Sequence, residues 1–247
     1  GTPAGLTPGQ KKTAAALSWN VAHLVEKFGI ERVGFLTLTF ADHVTDPREA
    51  QRRFHSLKTN VLRKRYAEHI RVVERQKSGR IHYHLLVVVA DDIRTGADFD
   101  AFAVRDYKSA NNHLRREWAF WRKTAPLYNF GRTELMPVRS NSQAMGAYVG
   151  KYIAKHIGQR EERDKGIRLV EYTRGARMAS TRFTSTGSGS TLWRQKLQTF
   201  VHLTRASHPG EPVTGLASLR RIYGPRWSYH WRDFILQLTP SPLDCPF

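Results

Sequence analysis

Two short constellations carry most of the chemistry that this sequence offers. The first is His82-Tyr83-His84, inside the run Ile81-His82-Tyr83-His84-Leu85-Leu86-Val87-Val88-Val89. That run is apolar and β-branched and follows the polar turn Lys77-Ser78-Gly79-Arg80, so it reads as a strand. Strand side chains alternate, so His82 and His84 share a face and can offer two imidazole nitrogens to one divalent metal ion. The second is Tyr148-x-x-Lys151-Tyr152-x-x-Lys155. On a helix, residues four apart are neighbours about 6 Å apart, so Tyr148 lies over Tyr152 and Lys151 over Lys155. A phenol has a pKa near 10 and is a poor nucleophile without help. A lysine one turn away can favour phenolate or neutralise phosphate charge, and a divalent metal on His82 and His84 can polarise a scissile phosphate. Attack by tyrosine on phosphorus then moves a nucleic-acid 5′-phosphate onto the protein and frees a 3′-hydroxyl.

The elements that must position these groups follow from periodicity. Residues 7–28 read as a helix, with Thr7 as cap, Pro8 in the first turn, apolar residues from Leu17 to Phe28 at helical spacing and Gly29 as stop. Val33–Phe40 reads as a strand with Phe35, Thr37 and Thr39 on one face and Leu36, Leu38 and Phe40 on the other. Residues 47–67 read as an amphipathic helix with a basic exposed face (Arg52, Arg53, Lys58, Arg63, Lys64, Arg65). Ile70–Glu74 pairs with the histidine strand through a tight turn at Gln76–Arg80. Residues 91–108 read as a loop, 109–123 as a helix carrying Trp118 and Trp121, and Arg132–Val138 as a strand. Asn141–His156 is the helix of the tyrosine motif, capped by Asn141 or Ser142 and stopped by Gly158. Residues 160–166 read as charged linker, Arg168–Tyr172 as a short strand and Thr184–Thr191 as a flexible tract. Leu192–Ala206 and Leu216–Tyr223 read as helices, followed by an aromatic-basic tail, Trp227–Arg232.

Composition restricts the partner. Forty Lys and Arg against 21 Asp and Glu leave a formal charge of +19, an excess that points to a polyanion, nucleic acid above all. Hydrophobic content of 40% is that of a folded chain. The single cysteine, Cys245, excludes an internal disulfide and a cysteine-based zinc site. No apolar run reaches the ~18 residues a membrane span needs, so no membrane partner and a cytoplasmic location, that of a bacterial host, are expected.

The order of strand Phe35–Phe40, then His82-Tyr83-His84, then Tyr148–Lys155 resembles the three motifs of the HUH endonucleases that initiate rolling-circle replication. The doubled tyrosine resembles the two-tyrosine class found in small single-stranded DNA phages and related plasmids. The resemblance spans residues 33–156. In conjugative relaxases the tyrosine precedes the histidine cluster, and here it follows. The resemblance implies an α+β fold: an antiparallel sheet flanked by helices, ferredoxin- or RRM-like, with the histidine strand central and the tyrosine helix alongside. It also implies a third polar metal ligand; Glu74, across the hairpin, is preferred over Asp42 and His43. The implied metal is Mg2+ or Mn2+. The implied catalytic residues are Tyr148 and Tyr152, acting in alternation in an order the motif leaves open, assisted by Lys151 and Lys155.

The expected organisation is an N-terminal helix over 1–30, the nuclease core over 31–160 and a basic, mostly helical extension over 161–247. The expected substrate is single-stranded DNA at a replication origin hairpin. No Gly-rich lysine loop of a motor ATPase is visible, so a helicase is expected from the host or from a portion of the protein outside this sequence, and a polymerase from the host. Two alternatives stay open: a transposase or relaxase using the same site, and a non-catalytic RRM-like binder. Trp118, Trp121, Trp227, Tyr229 and Trp231 could stack unpaired bases, though residues of these types more often belong to the core, and they are not counted among the site residues.

Overall fold

The computed structural model describes residues 13, 17, 20, 21, 23–140, 160–177 and 189–240. Two compact units divide at Ala176/Arg177. The described residues before Gly29 are helical (α1: residues 13, 17, 20, 21 and 23–28), with Leu17, Val21 and Leu24 fully buried, the apolar face its spacing predicts.

The first unit is built on a five-stranded antiparallel sheet: β1 (Val33–Phe40), β2 (His69–Arg75), β3 (Ile81–Val88), β4 (Phe130–Pro137) and β5 (Val170–Tyr172), in the order β4-β1-β3-β2-β5. The fold is α+β, and the histidine strand β3 is the central one. The β2–β3 hairpin closes with Gln76 N–H donating to Arg80 O at 2.8 Å and Gly79 N–H to Gln76 O at 2.8 Å. Gly79 sits at φ 84°, a conformation that favours a residue without Cβ.

One face of the sheet is covered by two helices. Helix α2 (Pro47–Leu57) is capped by Asp46, whose side chain accepts from Arg48 N–H at 3.0 Å, with Pro47 in the first turn. It continues through a π-type turn, Lys58–Leu62, and a last turn, Arg63–Arg65. A short helix α3 (Phe99–Ala103), capped by Asp98, interrupts the segment expected to be loop. Helix α4 (Asn112–Thr124) starts at the Asn111 cap. Phe54, Leu57 and Leu62 from α2 and its continuation, with Leu114 and Trp121 from α4, join Leu36, Leu38, Phe40, Tyr83, Leu85 and Val87 in the buried core. Deleting a side chain such as Phe54 here would cost about 3–5 kcal/mol.

The tryptophans of the first unit are structural, the role favoured for them over base stacking. Trp121 is 2% exposed and donates to Tyr66 Oη at 2.8 Å, and Trp118 donates to Leu135 O at 2.6 Å. The basic face of α2 also needs correction. Arg53 is only partly exposed and pairs with Asp42 and Glu49, and Arg65 pairs with Glu117 and lies 3.5 Å from the Phe120 ring centroid.

The second unit, taken by itself, contains α5 (Gly189–Ser207), α6 (Leu216–Tyr223) and α7 (Trp227–Gln237). Helix α5 begins inside the tract expected to be flexible, and α7 replaces the expected tail. Phe200 gathers Trp227, Tyr223, Trp231 and Phe234 around its ring, with centroids 5.5–6.3 Å away. Trp231 is buried, and Tyr229, 79% exposed, is the one residue of the tail group turned to solvent among those named as stackers.

Candidate functional site

The site is built by register. On β3, His82 lies opposite Thr39 of β1 on one side and Glu74 of β2 on the other, while His84 lies opposite Thr37 and Val72. Directly opposed residues in an antiparallel pair point to the same face. The sheet therefore carries Thr37, Thr39, His82, His84 and Glu74 on the face away from the α2–α4 core. Glu134 of β4, opposite Thr37, extends the row to the exposed edge. The three expected metal ligands, His82, His84 and Glu74, are thus brought to one place by one hairpin.

Their contacts show how they are held. His84 is 5% and Glu74 3% exposed, and His84 Nε2 donates to Glu74 Oε2 at 2.5 Å across the hairpin diagonal. His84 Nδ1 lies 3.4 Å from Thr37 Oγ1, and His82 Nδ1 lies 3.4 Å from Gln76 Nε2. The two imidazole centroids are 6.5 Å apart. Each ring thus has a polar neighbour at Nδ1, which fixes its orientation on the strand face. As they stand, no group of three or more His, Cys, Asp or Glu among the described residues is arranged to hold a metal ion. In this geometry the Nε2–H of His84 is spent on Glu74. The donor types, two imidazoles and a carboxylate, nonetheless suit a divalent cation, which would take the place of that proton.

Of the less favoured ligands, Asp42 is exposed and engaged by the Arg53 guanidinium, which holds its carboxyl below the usual range, and His43 is exposed. Tyr148, Lys151, Tyr152 and Lys155, with the helix expected to carry them, lie outside the described residues.

Sequence reasoning overlooked an anchor at the end of β2, on the face opposite Glu74. Arg75, the residue after Glu74, is 1% exposed; its Nε and Nη2 donate to Asp164 at 2.7 and 2.5 Å, and its Nη1 to Thr45 O and Gly79 O at 2.9 and 2.6 Å. Asp164 caps a 3-10 turn (Glu162–Asp164) by accepting from Glu161 N–H at 2.9 Å, and Arg160 donates to Asp164 O and Ile167 O. The expected charged linker is therefore pinned to the sheet. The sequence held no signal for this, since the partners lie 89 positions apart.

The model of the replication-associated protein ORF2 family matches residues 33–157, half of the chain. The chain belongs to that family. The match begins at β1, takes in the whole histidine hairpin and ends past the tyrosine motif. The chain is also 65% identical over 172 residues to the Phasyl DNA replicon protein arp of Escherichia coli, across 70% of this chain and 60% of that protein. It therefore spans about three fifths of that relative's length. No solved structure matches the chain. Family membership links it to DNA replication. No helix among the described residues is long and apolar enough to cross a membrane.

Proposed function

We propose that this chain is a rolling-circle replication initiator, a metal-dependent endonuclease and strand transferase acting on single-stranded origin DNA. The observation that carries the reading is the placement of His82, His84 and Glu74 on one face of the central hairpin, in a chain of this replication-associated family. Glu74, His82 and His84 would hold Mn2+ or Mg2+, which when bound supplies Lewis-acid polarisation of the phosphate. The phenol oxygen of Tyr148 or Tyr152 attacks phosphorus, the P–O3′ bond breaks, and the departing 3′-oxygen takes a proton. The 5′-phosphate remains on tyrosine, and a later 3′-hydroxyl reverses the step and ligates. Lys151 and Lys155 assist by favouring phenolate and offsetting phosphate charge. The connection that bears them joins β4 to β5, at opposite edges of the sheet, and Arg75, next to Glu74 in sequence but on the other face of β2, pins Asp164 at its end.

The test is cleavage of single-stranded DNA carrying the replicon origin, with Mn2+ or Mg2+, resolved on denaturing gels. Covalent adducts are expected for the unsubstituted chain and for at least one of Tyr148→Phe and Tyr152→Phe, and are expected to vanish in the double variant and in EDTA. A chain that binds the DNA but never forms an adduct would overturn the reading in favour of a non-catalytic binding domain. Host helicase and polymerase complete the proposed set of partners.

A further inference from the structure

On the face of the sheet opposite the histidine row, a cavity of about 420 Å³ opens between α2 and the β2–β5 edge, lined by Arg48, Gln51, Arg52, Phe54, His55, Lys58, Arg71 and Glu171. Four of the lining groups are permanent cations and one is a carboxylate. Glu171 divides itself between Lys58 Nζ at 2.5 Å and Arg71 Nη1 at 3.1 Å. Arg52 is bound to Glu49 at 2.7 Å on the exposed surface, a pairing worth little in water. Arg48 has no carboxylate partner among the described residues.

The floor of the cavity is a built feature. Arg71 is 2% exposed, its guanidinium lies 5.1 Å from each of the Phe54 and Tyr83 ring centroids, and its Nη2 donates to Arg168 O at 3.0 Å. Its Nε has no hydrogen-bond partner among the described residues. Lys58 reaches the cavity from the π-type turn of the helix, an irregularity often retained at functional positions.

We infer that this groove binds the phosphate backbone of duplex DNA, such as the paired stem of an origin hairpin. The inference rests on the nucleic-acid reading above and adds a second surface to it. From Arg48 to Lys58 the helix rises about 15 Å, the span of about four base-pair steps. Arg48, Arg52 and His55 recur along it at helical spacing and are exposed. Of the two rings in the lining, Phe54 is 1% exposed and only His55 faces solvent. A run of unpaired bases would find a single small ring to stack on, whereas backbone phosphates need only the cations, which are several. A hairpin could then present its single strand to the histidine face while its stem passes around the β5 edge.

The experiment is fluorescence anisotropy with a labelled hairpin carrying a single-stranded tail, and with the tail alone, from 50 to 200 mM salt. The proteins are the unsubstituted chain, Arg48→Gln/Arg52→Gln, and a control, Arg122→Gln/Lys123→Gln, which removes two exposed charges at the end of α4. Two lost phosphate contacts should flatten the logarithmic salt slope for the hairpin by about 1.8, so that the unsubstituted chain loses roughly tenfold more affinity across this range than the groove variant. The tail alone should show no such difference, and the control should follow the unsubstituted chain. Equal slopes for the groove variant and the unsubstituted chain, or an equal flattening in the control, would overturn the inference. Inorganic phosphate raising the melting temperature of the unsubstituted chain and not of the groove variant, with hairpin slopes unchanged, would identify a small-anion site and overturn the duplex assignment. Anisotropy reads the groove without any cleavage, so a flattened slope in a chain that forms no adduct supports the groove and removes only the strand-transfer reading.

Discussion

The Arg75–Asp164 pair gives the sharpest test of how the candidate site is held. Both side chains are nearly inaccessible, 1% and 5% exposed, and Asp164 meets the guanidinium with both oxygens, at 2.7 and 2.5 Å. Asp164→Ala leaves Arg75 with Thr45 O and Gly79 O and only the longer pair to Glu161, 3.8 Å away and 40% exposed. Removing one partner of a buried ion pair costs about 3–5 kcal/mol, mostly for stranding the other charge. For a unit of this size, that lowers the melting temperature by roughly 6–20 °C. Arg75→Met/Asp164→Leu removes both charges and should recover most of the loss, because apolar replacement of a whole buried pair is often neutral or better. Urea denaturation of the single and double variants measures both quantities. The exposed Arg163–Glu161 pair serves as the control, and Arg163→Ala should cost less than about 1 kcal/mol. A loss below about 1 kcal/mol for Asp164→Ala, or a double variant no better than the single, would refute the clamp. Adduct formation should fall in Asp164→Ala and return in the double variant, as a positioning role requires.

Three further outcomes are expected. His69 is 1% exposed and its pKa is lowered to about 4, first by burial, opposed in part by Glu171 and reinforced by Lys58 and Arg71. The folded value lies below the unfolded one, so the unfolded state takes up the proton first. The stability contribution is therefore intact above pH 6.5 and is lost as pH falls toward 4, by about 3 kcal/mol; His69→Gln should flatten the denaturation midpoint across that window, and parallel curves would count against it. His84→Ala strips the buried Glu74 carboxylate of its 2.5 Å donor and should cost about 1–3 kcal/mol in EDTA. Glu74→Gln keeps a side chain of the same shape, so it should fold but show weaker Mn2+-induced stabilisation in a thermal shift titration. An unchanged Mn2+ response would argue against Glu74 as a ligand.

The central hairpin was legible in the sequence because its signals are local. Period-two alternation put His82 and His84 on one face, the turn at Gln76–Arg80 fixed the pairing, and the pairing placed Glu74 across from His82. The cores of α2 and α4 were legible because 3.6-residue periodicity survives ragged ends; the structure moved boundaries by a few residues and added the π-type turn at Lys58–Leu62. The helix α7 was missed because its start offers no capping side chain and its buried pair, Trp231 and Ile235, reads as part of an aromatic-basic run.

The sequence by itself determined the chemistry on offer: two imidazoles on one strand face, two tyrosines and two lysines at helical spacing, and a charge that calls for a polyanion. Those follow from residue type and from periods of 2 and 3.6, which need no knowledge of distant contacts. Only the tertiary structure decided that Glu74 binds His84, that Asp164 clamps Arg75, that Trp121 is core, and that Arg71 floors a basic groove beneath α2. Each joins strands and helices whose adjacency is set by sheet order and layer packing, and a buried charge finds its partner only once those layers have closed around it.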